Sequence, residues 1–347
     1  MPPEAPPPPL RLTLDLDALV ANWRALDALS GTASAGAAVK ADAYGLGARR
    51  VAMALRGAGC SDFFVAHWSE AVDLLDVLPA GNIAVLHGPQ NPADAVFARD
   101  NGLRPVINSL HQARIWQEAG GGVCDLMVDT GINRLGLPLA DLSDPVITGL
   151  QVDVLHSHLA SADEDVPQNE AQRLRWLEAQ GLVQHRRASL ANSAGIALGS
   201  AYHGQLTRPG IALYGGVPSA ALAGQIKQVA QPEAQVIQTR ELEAGDQIGY
   251  NATFTAAEPM RVGVVSLGYA DGYLRCWSGK GAMLADGLRL PVLGRVSMDM
   301  TVIDLSHAPQ VGEGDWLALD YDLPAASALT GLSQYELLTS LGRRFPR

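Results

Sequence analysis

What the chain lacks narrows its reading first. Aromatics make up only 5% of the 347 residues. Cysteine is scarce too: Cys60, Cys124 and Cys276 are widely spaced and odd in number. No CxxC pair or metal-ligand spacing accompanies them, so the expected setting is a reducing one, the cytoplasm. No apolar run reaches the ~18 residues of a membrane span, so no membrane partner is expected. The amino end, Met1-Pro2-Pro3-Glu4-Ala5-Pro6-Pro7-Pro8-Pro9, lacks the charged-then-apolar order of a secretory signal. It reads as a polyproline II tail over residues 1–9, expected to be disordered. Positive charge is in deficit: 25 Lys and Arg against 36 Asp and Glu give a net −11. Such a surface repels phosphate and disfavours a nucleic-acid partner. Local basic pockets stay open.

What is present is ordinary globular material, 48% hydrophobic and 18% charged. At ~150 residues per domain the length suggests about two domains. The 36 glycines suit tight turns and close backbone packing.

After the tail comes a short strand, Leu10 to Leu14, then an amphipathic helix with Leu16, Leu19, Val20, Trp23 and Leu26 on one stripe. Short β-like runs then alternate with helical stretches such as Ala48–Ala58, Ser69–Val77 and Asn169–Gln180. The runs are 35–40, 62–66, 82–86, 104–108, 123–128, 150–155, 186–190 and Ile211–Tyr214. This alternation argues for a parallel α/β architecture, and eight is the number that closes a (β/α)8 TIM-type barrel. A doubly wound open sheet competes. It usually carries a Gly-rich turn after its first strand, and here Gly45-Leu46-Gly47 lacks the third glycine. The texture changes near Lys227–Glu233, after which strands dominate, with Asp286-Gly287 as a hairpin turn. The expected organisation is a barrel over 10–229 and a mainly antiparallel β domain over 230–347.

In such a barrel the site lies at the C-terminal strand ends. Lys40 ends the first run, Arg134 follows the fifth, His156 and His158 the sixth, Ser193 the seventh, and Arg208 adjoins the eighth. A desolvated Lys with lowered pKa can bond a carbonyl cofactor, although a plain loop Lys at a strand end is the bland alternative. Ser193 with the Gly210-Ile211 backbone lies where barrels often bind phosphate; it also reads as a simple helix cap. His156-Ser157-His158 has one feature of a zinc site, but later strands bring no convincing further ligands, so no metal is expected. The two rings point to opposite sides of a strand, and at most one need face the site.

These residues carry a resemblance. Ala38-Val39-Lys40-Ala41-Asp42-Ala43-Tyr44-Gly45-Leu46-Gly47 resembles the pyridoxal-phosphate lysine motif of the alanine racemase family. Further family motifs follow in order: Asp129-Thr130-Gly131-Ile132-Asn133-Arg134-Leu135-Gly136, His158-Leu159-Ala160-Ser161-Ala162-Asp163, Ala191-Asn192-Ser193, Arg208–Gly215, Gly268-Tyr269-Ala270-Asp271-Gly272 and Gly294–Asp299. They span nearly the whole chain. The resemblance implies an N-terminal barrel, a C-terminal β domain, a homodimer, and L-alanine/D-alanine interconversion, with D-alanine feeding peptidoglycan. It implies pyridoxal 5′-phosphate held by Lys40, which also serves as one base, and Tyr269 of the partner subunit as the opposite base. His158 and Arg208 resemble the network behind that tyrosine, and Arg208 the residue facing the pyridine nitrogen. Tyr44, Ser193, Gly210 and Ile211 resemble the phosphate anchors, Arg134 and Met298 the substrate-carboxylate contacts, and Asp163 and Arg295 the entrance.

Two departures stand out. Many members have a lysine, often carbamylated, where this chain has Met127, and a thioether offers no anion to orient Arg134. Members often end in a tyrosine that contacts the phosphate; no such tyrosine is assigned here, and Arg343 is a candidate for its place. A serine or broader racemase of the same family stays open, since an apolar pocket discriminates a methylene or hydroxyl only modestly. A non-catalytic pyridoxal-phosphate carrier would lack the β domain and a second base. Basic amino-acid decarboxylases share both domains but carry other motifs.

Overall fold

The computed structural model describes residues 6–342 and 344–345. The chain forms two compact units, Leu16–Lys227 and a second one built from the amino end through Asp15 together with Gln228 onward.

The first unit begins with the helix Leu16–Leu29, which buries Leu19, Trp23 and Leu26 as its apolar stripe predicts. Seven strands then run parallel and in chain order: Ala37–Ala38, Phe63–Val65, Ile83–Val85, Arg104–Ile107, Val123–Met127, Gln151–His156 and His185–Ser189. Phe63–Val65 and Ile83–Val85 are short apolar runs buried throughout, as parallel strands between helices tend to be. A separate parallel pair joins Leu206–Thr207 to Ser34–Ala35. The strand expected at Ile211–Tyr214 is instead a 3-10 turn with all four residues buried. A fully buried apolar run has no exposed face, so periodicity cannot tell strand from turn there.

Charges sit inside this apolar unit as a paired network. Arg104 bonds Asp62 (2.9 Å), Asp125 (3.0 Å) and Asp153 (3.2 Å), and Arg187 bonds Asp62 (2.8 Å) and Asp153 (2.8 Å). Burial alone would raise the Asp62 carboxyl. The Arg187 hydrogen bonds and the Arg104 charge outweigh it and hold the group at about 2.

The second unit is a seven-stranded antiparallel sheet. Its order is Leu10–Leu14, Ala230–Leu242, Met260–Val265, Thr301–Asp304, Leu288–Leu293, Ala282–Ala285, Trp316–Leu319. The last strand pairs back onto Ala230–Leu242, which closes the sheet on itself and removes that edge. Leu10–Leu14, expected with the barrel, pairs here instead, with Leu12 opposite Pro232. Its buried ends, Leu10 and Leu14, face this core, and the Pro9 carbonyl accepts from Gln235 N at 3.0 Å. The tail thus has an anchored end at Pro9, while residues 1–5 lie outside those described. Asp286 (φ 47°) and Gly287 (φ 82°) turn the expected hairpin between Ala282–Ala285 and Leu288–Leu293. Gln247–Ile248 and Phe254–Thr255 form a separate antiparallel pair, with Asn251 and Ala252 at positive φ between them. Among the described residues no helix is long and apolar enough to cross a membrane.

Candidate active site

Lys40 opens a turn that no local rule predicts. Ala41, Asp42, Ala43 and Tyr44 all have φ between 52° and 59°, a short left-handed helical segment made without glycine. Each such residue costs roughly 1–2 kcal/mol, so neighbours must hold it. Glu70 Oε1 accepts from Ala41 N (2.8 Å), Ala43 N donates to the Val39 carbonyl (2.8 Å), and Asp42 Oδ1 accepts from Ala48 N (2.7 Å). The Tyr44 ring is buried against Tyr214, centroids 4.9 Å apart. Position 210 must be glycine, since a Cβ there would lie 2.2 Å from the Tyr44 hydroxyl.

The Lys40 amine is shifted downward, first by burial, then by the Arg134 charge, with Glu70 opposing and Arg208 assisting. His158 is pushed down to about 3 by burial and by the charges of Arg208, Arg134 and Lys40. The structure therefore brings Lys40, Arg134, His158 and Arg208 into one cationic field. Ser193 caps the same end: its Oγ accepts from Gly210 N (2.9 Å) and Ala212 N (3.3 Å), which leaves the hydroxyl proton to donate. Gly210 and the buried Ile211 complete that corner.

Arg208 is buried. Its donors reach the Ser189 carbonyl (2.9 Å), Ser189 Oγ, the Ser157 and Leu190 carbonyls and His156 Nδ1 (3.3 Å), all neutral acceptors. Burial pulls its pKa down to about 10. Arg134 is exposed, on a loop that Asp129 Oδ1 organises by accepting from Gly131 N (2.8 Å) and Asn133 N (3.1 Å). Met127 is buried at its strand end, and among the described residues no carboxylate is hydrogen-bonded to Arg134. Asp163 is exposed. Among the described residues no three His, Cys, Asp or Glu side chains gather as metal ligands would.

In the β unit Tyr269 starts a 3-10 turn and is half-buried, with the Arg275 guanidinium 5.2 Å from its ring centroid. Tyr269 N donates to the Ser297 carbonyl (3.0 Å) and Ala270 N to the Met298 carbonyl (3.0 Å), which ties the tyrosine motif to Met298. Gly268 is needed at this crossing, since a Cβ would lie 2.2 Å from the Met298 oxygen. Met298 is 51% exposed and Arg295 half-buried. Arg343 lies outside the described residues.

In the first unit, the buried Arg208 guanidinium has only neutral direct partners and, with the Arg134 charge acting on the same site, suits an anionic ligand, while the Lys40 amine of lowered pKa suits a carbonyl group. Comparison with known proteins agrees. The family model for the alanine racemase N-terminal domain matches residues 14–218, and that for the C-terminal domain residues 229–347. The chain belongs to the alanine racemase family. It is 41% identical to the alanine racemase of Methylobacterium nodulans, over 97% of this chain and 95% of that protein. It is 41% identical to a biosynthetic alanine racemase of Agrobacterium fabrum, over 98% of this chain and 93% of that protein. Among solved structures, alanine racemase from Bartonella henselae with covalently bound pyridoxal phosphate superposes with a TM-score of 0.90 at 36% identity, covering 98% and 99% of the two chains. The biosynthetic enzyme of Pseudomonas aeruginosa superposes with a TM-score of 0.87 at 35% identity, again covering 98% and 99%.

Sequence reading of this alanine racemase family member missed three things: the left-handed run after Lys40, the Glu70 clamp, and the Asp125–His156 contact behind Arg208. The last had a trace. Asp125 is a charged residue inside the otherwise apolar strand Val123–Met127.

Proposed function

We infer that this chain interconverts L-alanine and D-alanine as a pyridoxal-phosphate-dependent racemase. The observation that carries the reading is the Lys40 amine, lowered in pKa and set among Arg134, Arg208 and neutral His158. Pyridoxal phosphate, bound covalently, supplies the electron sink that makes an amino-acid Cα–H removable.

Lys40 would hold the cofactor covalently, and its free amine would act as the base on one face of the substrate. Burial and the Arg134 charge lower its pKa, which favours the unprotonated form that a base needs. Tyr269 of the partner subunit serves the opposite face. Arg208 would face the cofactor ring with a donor it keeps, since guanidinium resists losing its proton. The Ser193 hydroxyl, the backbone of Gly210 and Ile211, and Tyr44 would hold the phosphate. Arg134 and the Met298 backbone orient the substrate carboxylate, with Asp163 and Arg295 at the entrance. His158 stays neutral between the cations and relays orientation from Arg208 to the tyrosine.

The first unit is a complete eight-stranded barrel on this reading, with Leu206–Thr207 as the eighth stave. Support comes from Gly36 N to Thr207 O (2.9 Å) and Ala38 N to Pro209 O (2.9 Å) on one side, and Arg208 N to Ala191 O (2.8 Å) on the other. The chain works as a homodimer with shared sites. Exposed Tyr250 (65%), Met298 (51%) and Met300 (44%) on the β unit support a covered face there. The three cysteines are free, in keeping with the cytoplasm.

The test is an L-to-D exchange assay over a panel of amino acids in deuterated water, run with Lys40→Ala and Tyr269→Phe. Borohydride reduction followed by peptide mass analysis should place the cofactor on Lys40. Undiminished racemisation in Lys40→Ala overturns the reading.

A further inference from the structure

Arg208 poses a problem of charge. It is a buried guanidinium whose direct partners are carbonyls, a hydroxyl and an imidazole, and a buried charge without a counter-charge is costly. The nearest anion in its chain of contacts stands one ring away. His156 Nδ1 lies 3.3 Å from Arg208 Nη1, and His156 Nε2 lies 3.0 Å from Asp125 Oδ2. Guanidinium has donors only, so Nδ1 must accept and the ring proton must sit on Nε2, aimed at Asp125. Both neighbours therefore select the same tautomer of a neutral ring. The pair is itself held: Asp125 Oδ1 accepts from Val154 N (3.2 Å), Oδ2 also accepts from Arg104 Nε (3.0 Å), and the Phe64 ring meets His156 edge-on at 5.8 Å. Arg104 in turn is bound by Asp62 and Asp153, which leaves Asp125 free to serve a second cation.

Resting on the racemase reading above, we propose that Asp125 and His156 are positioning residues for Arg208. They form a buried carboxylate–imidazole relay that fixes the guanidinium's orientation and keeps it fully cationic where it meets the cofactor ring. Asp125 and His156 stand on neighbouring parallel strands, Val123–Met127 and Gln151–His156. His156 is thereby assigned a role distinct from that of His158, two residues on. The relay acts through Arg208 and touches no reacting atom. Its expected effect is on the electronic character of the cofactor site, with little effect on substrate capture.

The experiment uses the cofactor-loaded enzyme and three variants: His156→Leu, His156→Gln and Asp125→Asn. Glutamine can accept from Arg208 and donate to Asp125, so it restores both bonds; leucine restores neither. Four properties are read: the thermal midpoint, the absorption maximum of the bound cofactor, the fraction of turnovers lost to transamination, and kcat against KM. His156→Leu should move the absorption maximum, raise transamination, and lower kcat by about tenfold with KM within about twofold. Asp125→Asn should do the same in smaller measure, and His156→Gln should stay near wild type. The proposal is overturned if folded His156→Leu and Asp125→Asn keep wild-type absorption, transamination and kcat. It is equally overturned if all three variants lose activity only in step with their thermal midpoints, glutamine included. Lys40→Ala in the same assays separates the two levels. Racemisation surviving there sinks the underlying function, whereas a dead Lys40→Ala beside a normal His156→Leu sinks the relay alone.

Discussion

At the scale of single residues, His156 makes the acid response legible. Burial outweighs its bond to Asp125 and pushes its pKa down to about 4. In the unfolded chain the ring takes up a proton near ~6.5. The stabilising preference for the neutral ring is therefore present above pH ~6.5 and is lost as pH falls through about 4, by roughly 3 kcal/mol in all. Melting temperatures of His156→Gln measured from pH 8 to 4.5 should fall less steeply than those of the wild type. A parallel slope for the two proteins would show that the ring does not govern this window. Asp62 acts lower: its contribution is present above pH ~3.8 and lost as pH falls through about 2. The cysteines give a second check. Burial raises the Cys60 thiol to about 12 and Cys124 further still. A thiol reagent at pH 8 should leave both untouched in the native protein and find all three cysteines only after unfolding.

At the scale of elements, strands were readable where an apolar run had a polar boundary. Phe63–Val65 and Ile83–Val85 fall inside the runs marked for them, and the helix Ala48–Ala58 was read to its ends. Ile211–Tyr214 failed because its burial is uniform and carries no period. The segment after Lys40 failed for another reason: its conformation is imposed by contacts far away in sequence. Glu70, 29 residues on, holds the Ala41 amide, and Tyr214 meets Tyr44. Gly45 and Gly47 alone hinted at positive φ in Lys-Ala-Asp-Ala-Tyr-Gly-Leu-Gly. The turn makes a signed prediction. Ala41 is exposed with φ 52°, so Ala41→Gly should relieve strain and hold or raise stability by up to about 1 kcal/mol. Ala41→Val should lower it by about 2 kcal/mol, since a β-branched residue suits that region worst. Urea titration checks both. Glu70→Ala frees the Ala41 amide and removes the charge that opposes the downward shift of Lys40; kcat should drop several-fold, with the cofactor absorbance titrating at lower pH.

At the scale of the whole molecule, the acidic surface and the cationic site answer different questions. A net charge of −11 describes the surface met by a polyanion, while Lys40, Arg134 and Arg208 set the field inside one barrel end. The texture of the sequence changes near residue 230, and the contacts of the chain divide between Lys227 and Gln228. The placement of Leu10–Leu14 was not legible in the sequence, because an isolated five-residue strand says nothing of which sheet receives it. If each site takes Lys40 from one protomer and Tyr269 from its partner, two dead proteins must make a live one. Lys40→Ala and Tyr269→Phe homodimers should each be nearly inactive in both directions combined. Unfolded together and refolded at equal ratio, about half of the dimers are mixed, and each mixed dimer holds one site with both native bases. Activity should then return to about a quarter of the wild-type level, and it should appear only after subunits exchange. Sites contained within single chains would give no recovery at any mixing ratio, because every site would keep its own lesion.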